Sequence, residues 1–191
     1  MFDDANGATV WSVGGGHALE GVEYVLGDLA GLRGSFAIGH SSVHLSDTGE
    51  VIPVTAPNQL ALTLSFASGA VGTMSFQGDA SRIGPGLRWE VHGTEGDLVL
   101  TGDGPNGNIQ VTGHLLSGVS GDGELARITT DGYSPEILAG LPDDPSRPME
   151  TPRRMAAFYQ AFARDVREGT STVPDFRRAV EVHRLLEAVE A

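Results

Sequence analysis

Near the N-terminus the apolar residues recur at three- and four-residue steps. Ala18, Leu19, Val22, Val25 and Leu26 line one side of a helix, and Gly27 with Asp28 ends it. Residues 1–13 form the lead-in; within them 8–13 (ATVWSV) reads as a short strand or an extended entry to three consecutive glycines. From Leu29 to about Thr130 the periodicity changes to two. Residues 32–38 and 42–45 are strand pieces. Residues 59–66 and 70–76 flank Ala67-Ser68-Gly69 as a hairpin, and 87–93 and 97–101 flank Thr94-Glu95-Gly96 as a second. Residues 108–115 and 124–130 read as a third, joined by the glycine-rich stretch 117–123. Successive hairpins imply an antiparallel sheet, since parallel pairing needs crossovers of roughly a dozen residues that are absent here.

Residues 131–150, rich in Pro, Gly and Asp, form an irregular connection. The period then returns to that of a helix. Thr151 is the expected N-cap with Pro152 at the first helical position, Met155, Phe158, Tyr159, Phe162 and Val166 supply the buried stripe, and Gly169 closes it. Pro174-Asp175 opens a last helix with Phe176, Ala179, Val182, Leu186 and Val189 on one side. The pattern predicts a single α+β domain over 1–191: a large, mostly antiparallel open sheet with an N-terminal helix and two C-terminal helices packed on one side. Three helices leave part of such a sheet uncovered, and another subunit or domain is expected to close it.

Composition narrows the chemistry. With 40% apolar residues the chain can build an ordinary core. A net charge of −13 disfavours nucleic acid and anionic membranes as partners. All twelve basic residues are arginine, so no lysine is available for catalysis. The lack of cysteine removes thiol catalysis, disulfides and Cys-ligated zinc. No apolar run approaches the roughly 20 residues of a membrane span, and the acidic start MFDDANG lacks a signal segment, so a cytoplasmic protein is expected.

Opposite the apolar stripe of the first helix stand His17, Glu20 and Tyr24, three and four residues apart. His17 lies near the helix N-terminus, where the macrodipole opposes a positive charge and favours a neutral ring able to accept a proton. It is the leading catalytic candidate; the alternative is a structural histidine at a helix start. Gly14-Gly15-Gly16 superficially suggests a dinucleotide loop, but G-x-G-x-x-G fails at Leu19 and the βαβ continuation is missing. Glycines that admit a tight turn, or a ligand's close approach, explain the run better. His40 and His44 fall on one strand face without a third ligand, and no metal site is expected. No G-x-S-x-G occurs for a nucleophile elbow. Trp89, beside Arg88, is either a sugar-stacking residue or part of the sheet's core.

The segment GGGHALEGVEYVLGDLAGL resembles the G-G-H-x-x-D-x-x-x-x-x-L-G stretch that opens the C-terminal domain of Gfo/Idh/MocA-type NAD(P)-dependent oxidoreductases, within their Gal80-like branch. The resemblance continues in order at Thr55-Ala56-Pro57-Asn58-Gln59, Ser68-Gly69-Ala70-Val71, Trp89-Glu90-Val91-His92-Gly93-Thr94-Glu95-Gly96 and Val173-Pro174-Asp175-Phe176. Proteins of this family join a cofactor-binding Rossmann domain to an α+β domain that holds substrate and often oligomerises through its open sheet. This sequence resembles the second part alone. The family's E-K-P lysine has no counterpart, Glu20 stands at the acidic position of G-G-H-x-x-D, Val13 replaces an aspartate common in the dehydrogenases, and Asn58 replaces an aspartate usual in the Gal80-like branch.

The resemblance implies the substrate-binding and oligomerisation half of an oxidoreductase acting on a sugar, polyol or related alcohol or carbonyl. His17 would be the general acid/base, oriented by Glu20, with Gly15, Gly16, Tyr24 and Trp89 toward substrate. NAD or NADP would serve the complete enzyme, bound by a Rossmann domain in cis or trans and not by this chain alone, which is expected to be inactive by itself. The other reading is a non-catalytic module that senses a ligand or binds a protein.

Overall fold

The computed structural model describes residues 2–78, 82–104, 107–129, 132–141 and 149–190. The chain divides into two compact units, 1–79 with 176–191, and 80–175. The elements are mixed α and β, with antiparallel sheets, one N-terminal helix and helices at the C-terminal end.

In the first unit a π-helical turn, Val10–Gly15, runs directly into helix α1, Gly16–Leu26. The apolar run before the glycines is therefore wound rather than extended. A reciprocal capping box starts it: the Thr9 hydroxyl accepts from the Ser12 amide, and Ser12 Oγ accepts from the Thr9 amide. Strands β1 (Leu29–Ala37), β4 (Gln59–Phe66) and β5 (Val71–Gln77) make an antiparallel sheet in the order β1-β4-β5. A small ribbon pairs β2 (Ser42–His44) with β3 (Val51–Pro53). The β4–β5 hairpin turns through Ala67-Ser68-Gly69, with Gly69 at a φ of 89° that side chains rarely tolerate.

Register decides what this sheet buries. Phe36, Leu60 and Phe76 align across the three strands, as do Gly34, Leu62 and Met74. Trp11 stands edge-on to Phe36 and Phe76, at centroid distances of 5.7 and 6.2 Å. Its indole N–H donates 3.1 Å to the Leu186 carbonyl of α4 (Phe176–Glu190), tying the entry turn to the last helix. Leu19 is fully buried and Val22 nearly so. The buried side of α1 is rotated from the expected stripe: Val25 is exposed, and Glu23 takes an inner position. Phe176, expected on the inner side of α4, is also exposed, whereas Val182 and Leu186 are buried.

In the second unit β6 (Arg88–His92), β7 (Gly96–Gly102), β8 (His114–Ser120) and β9 (Ala126–Arg127) pair antiparallel in chain order. The third hairpin is displaced from the expected position. Residues 108–112 turn instead of extending, and Ser117–Ser120, read as a linker, completes β8 against β7. Gly118 permits this pairing, because a Cβ there would crowd Leu98 and Ile128. Short helix α2 (Pro135–Ala139) precedes α3 (Glu150–Glu168). Thr151 lies inside α3 and its hydroxyl donates to the Gln110 carbonyl, so it does not cap the helix. Arg154 donates to the carbonyls of Ile109 and Thr112 at 2.9 and 2.8 Å, fastening α3 to the turn before β8. Gly169, at φ 68°, ends α3 as expected. Part of the 131–150 connection lies outside the described residues.

Candidate functional site

The candidate residues Gly15, Gly16, His17, Glu20 and Tyr24 all belong to α1 and the turn that feeds it. Gly15 serves packing: a Cβ there would collide with the Trp11 ring, whereas one on Gly16 would make an ordinary contact with Leu186 at 3.4 Å. The backbone is helical at these positions, and the place a Cβ would take on Gly15 is filled by the indole.

His17 is exposed on the first turn of α1. Desolvation lowers its pKa from the ordinary value, and the charge of Glu20, three residues on, opposes that shift without overcoming it. The ring is thus biased toward the neutral, proton-accepting form. Tyr24, two turns along the same side, is 92% exposed.

Glu20 belongs to an ion-pair cluster. Both of its carboxylate oxygens accept from Arg178 Nε at 3.2 Å, while Arg178 Nη2 donates 2.5 Å to Glu23. Glu181, one turn further along α4, lies 3.5 Å from Arg178 Nη1. The Glu23 side chain is only 5% exposed, and its second oxygen accepts from the Leu29 amide at 3.0 Å, at the start of β1. Burial pulls the Arg178 pKa down, but the hydrogen bonds to Glu23 and Glu20 more than offset this and hold the guanidinium charged.

Reasoning from the sequence does not find Glu23 or Arg178. Glu23 offers one weak signal, an acid inside an otherwise apolar helix side. Arg178 offers none, because its partners are 155 and 158 residues away along the chain.

Asn58 has a structural use. Its Oδ1 accepts from the Gly39 amide at 2.7 Å and its Nδ2 donates to the His40 carbonyl at 3.2 Å. An aspartate could make the first bond but not the second. Trp89 belongs to the second unit, half-buried in a cross-strand row with Leu100 and Leu116. Among the described residues, no three His, Asp or Glu side chains are grouped to hold a metal ion, and no helix is long and apolar enough to cross a membrane.

The family model of the Gal80p C-terminal domain matches residues 1–102. Among solved structures, a super-repressor mutant of Gal80p from Saccharomyces cerevisiae is 18% identical with a TM-score of 0.75, over 97% of this chain and 48% of its own. An oxidoreductase from Agrobacterium radiobacter, in complex with NAD+, L-tartaric acid and magnesium, is 17% identical with a TM-score of 0.67, over 94% of this chain and 45% of its own. Levoglucosan dehydrogenase, in complex with NADH and L-sorbose, is 19% identical with a TM-score of 0.67, over 92% and 46%. The chain spans about half the length of each. No curated protein matches it. At these identities the likeness is one of fold, and it extends beyond the region matched by the family model. The chain belongs to the Gal80p C-terminal-domain family, and its fold is the one shared by Gal80p and the NAD-binding Gfo/Idh/MocA-type oxidoreductases.

Proposed function

We propose that the chain is the substrate-side half of an NAD(P)-dependent oxidoreductase acting on a sugar, polyol or related alcohol or carbonyl. The observation that carries this reading is the place of His17, exposed on the first turn of α1 with Glu20 one turn on, and the lowering of its pKa by partial burial agrees with it. A neutral imidazole so placed can take a proton from a substrate hydroxyl as it is oxidised, or return one to a carbonyl as it is reduced. Glu20 adds a negative charge one turn away that favours the imidazolium once formed. Tyr24 and Trp89 are the substrate-contact candidates. The cofactor would be held by a Rossmann domain in cis or trans, and this chain's part is to bind substrate and move the proton.

The decisive experiment replaces His17 by alanine in the complete protein and follows reduction of NAD and NADP with a panel of sugars and polyols. Loss of turnover with retained folding supports the reading, and unchanged turnover overturns it. Calorimetry on this chain with NAD(H) and NADP(H) should give no tight binding.

A second reading, a ligand-sensing or protein-binding module without catalysis, is supported by the absence of lysine and by the occupation of Glu20 with Arg178. It expects no turnover from the wild type or from His17→Ala, and the same affinity for ligand or partner in both. Oligomerisation is assigned to the outer side of the β1-β4-β5 sheet. There Arg33, Thr63 and Thr73 form one exposed row and Ser35, Ala61 and Ser75 the next. Sedimentation that shows a monomer at micromolar concentration would remove that assignment.

A further inference from the structure

We infer that Arg178 is a positioning residue for His17, acting through Glu20: it anchors the Glu20 carboxylate on the α4 side of the helix and limits how much of that charge reaches the imidazole. The inference rests on the reading of His17 as the proton-transfer group and adds to it the device that sets the ring's basicity.

The geometry carries it. On α1, Glu20 follows His17 by three residues, the spacing at which side chains on one helix meet. A free Glu20 would be a hydrogen-bond and ion-pair partner for the ring. In the structure its two oxygens instead share the Arg178 Nε at 3.2 Å each. Arg178 is itself held in place. Its Nη2 donates 2.5 Å to Glu23, and Glu23 is fixed from behind by the Leu29 amide. The guanidinium fork has one arm on the buried acid and one edge on the acid beside His17, a division of roles that a lysine's single ammonium could not reproduce.

The charge that acts on the ring is that of Glu20. Helix α1 itself carries Glu20, Glu23 and Tyr24. Helix α4, packed against it, brings Arg178 and Glu181, with Glu181 3.5 Å from Arg178. The Val10–Gly15 turn carries none. With Arg178 in place, desolvation of the ring prevails over the charge of Glu20.

The test is an NMR titration of the His17 imidazole in this chain, assigned by its loss in His17→Gln, for wild type, Arg178→Met, Glu20→Gln and the double variant. Arg178→Met should raise the His17 midpoint, because Glu20 is released toward the ring, and Glu20→Gln should lower it. In the Glu20→Gln background, Arg178→Met should produce no further rise. An unchanged midpoint in Arg178→Met, or an equal rise with and without Glu20, overturns the inference. If Arg178→Met fails to fold, Arg178→Lys takes its place: it keeps the charge but loses the fork, and the same dependence on Glu20 is required. Because the readout is a titration midpoint, failure here is separate from failure of His17 as the proton-transfer group, which turnover of His17→Ala decides.

Discussion

Helices α1 and α3 carry comparable apolar patterns and end up in different surroundings. In α1, Leu19 and Val22 are sealed beneath the helix, in the unit whose core also holds Trp11, Leu60 and Leu62. In α3, Met155, Phe158, Tyr159, Phe162 and Val166 follow the helical period just as well, yet each is more than 40% exposed. Helix α3 is held by Arg154 on two carbonyls, by Asp165 at its C-terminal end, and by α2, whose buried Ile137 lies beside Ala157 and Ala161. Asp165 accepts from the Thr170 and Thr172 hydroxyls and from the amides of Thr172 and Val173. An amphipathic pattern therefore tells which side of a helix is apolar, and not what covers it.

The sharpest way to break this contrast is to remove one apolar side chain from each helix. Leu19→Ala should cost about 4 kcal/mol, in the upper part of the range for such truncations because the side chain is fully buried. Phe158→Ala should cost about 1–2 kcal/mol, since a ring 41% exposed gives up only part of a full burial. Urea denaturation followed by circular dichroism measures both. Equal costs would mean that α3 has a cover in solution.

Next is the acid inside α1. Glu23→Ala leaves Arg178 and the Leu29 amide without their buried partner, and about 3 kcal/mol should be lost. The half-buried pair Arg153–Glu150, 3.0 Å apart at the start of α3, should cost about 1 kcal/mol when Glu150 is replaced by alanine.

The two tryptophans, one per unit, allow the units to be followed separately by fluorescence. Hydrogen bonds from Thr170, Val173 and Thr172 hold the Asp165 carboxyl below the ordinary aspartate range, with burial opposing them. A depressed carboxylate pKa stabilises above the unfolded value, about pH 4, and the benefit is lost as pH falls through the folded value. In a Trp11→Phe background, Trp89 should therefore report acid destabilisation that is flatter in Asp165→Asn.

The smallest effect concerns the histidines. Desolvation lowers the pKa of His17 in one unit and of His114 in the other, where Arg154 lowers it further. Each contributes stability that is complete above about pH 6.5 and declines as pH falls through the folded pKa, since the unfolded chain binds the proton more readily. His17→Gln should flatten this dependence only where Trp11 reports, and His114→Gln only where Trp89 reports.

The hairpins at Ala67-Ser68-Gly69 and Thr94-Glu95-Gly96 are legible because turn residues and period-two alternation agree there. The β8 strand is not, because Ser117-Gly118-Val119-Ser120 has a linker's composition and is made a strand by pairing with β7. Residues 8–13 have a strand's composition, but a capping box and the need to seat Trp11 against Gly15 wind them into a helical turn.

The sequence by itself determined that His17, Glu20 and Tyr24 share one side of a helix, since helical geometry is local and spacing alone places them together. It also determined the mixed α and β class, through the change of period along the chain. Only the tertiary structure decided that Glu20 and Glu23 meet Arg178 and that the α3 stripe is left exposed. Those outcomes depend on contacts between residues far apart in the chain, and no local pattern encodes which distant side chain arrives.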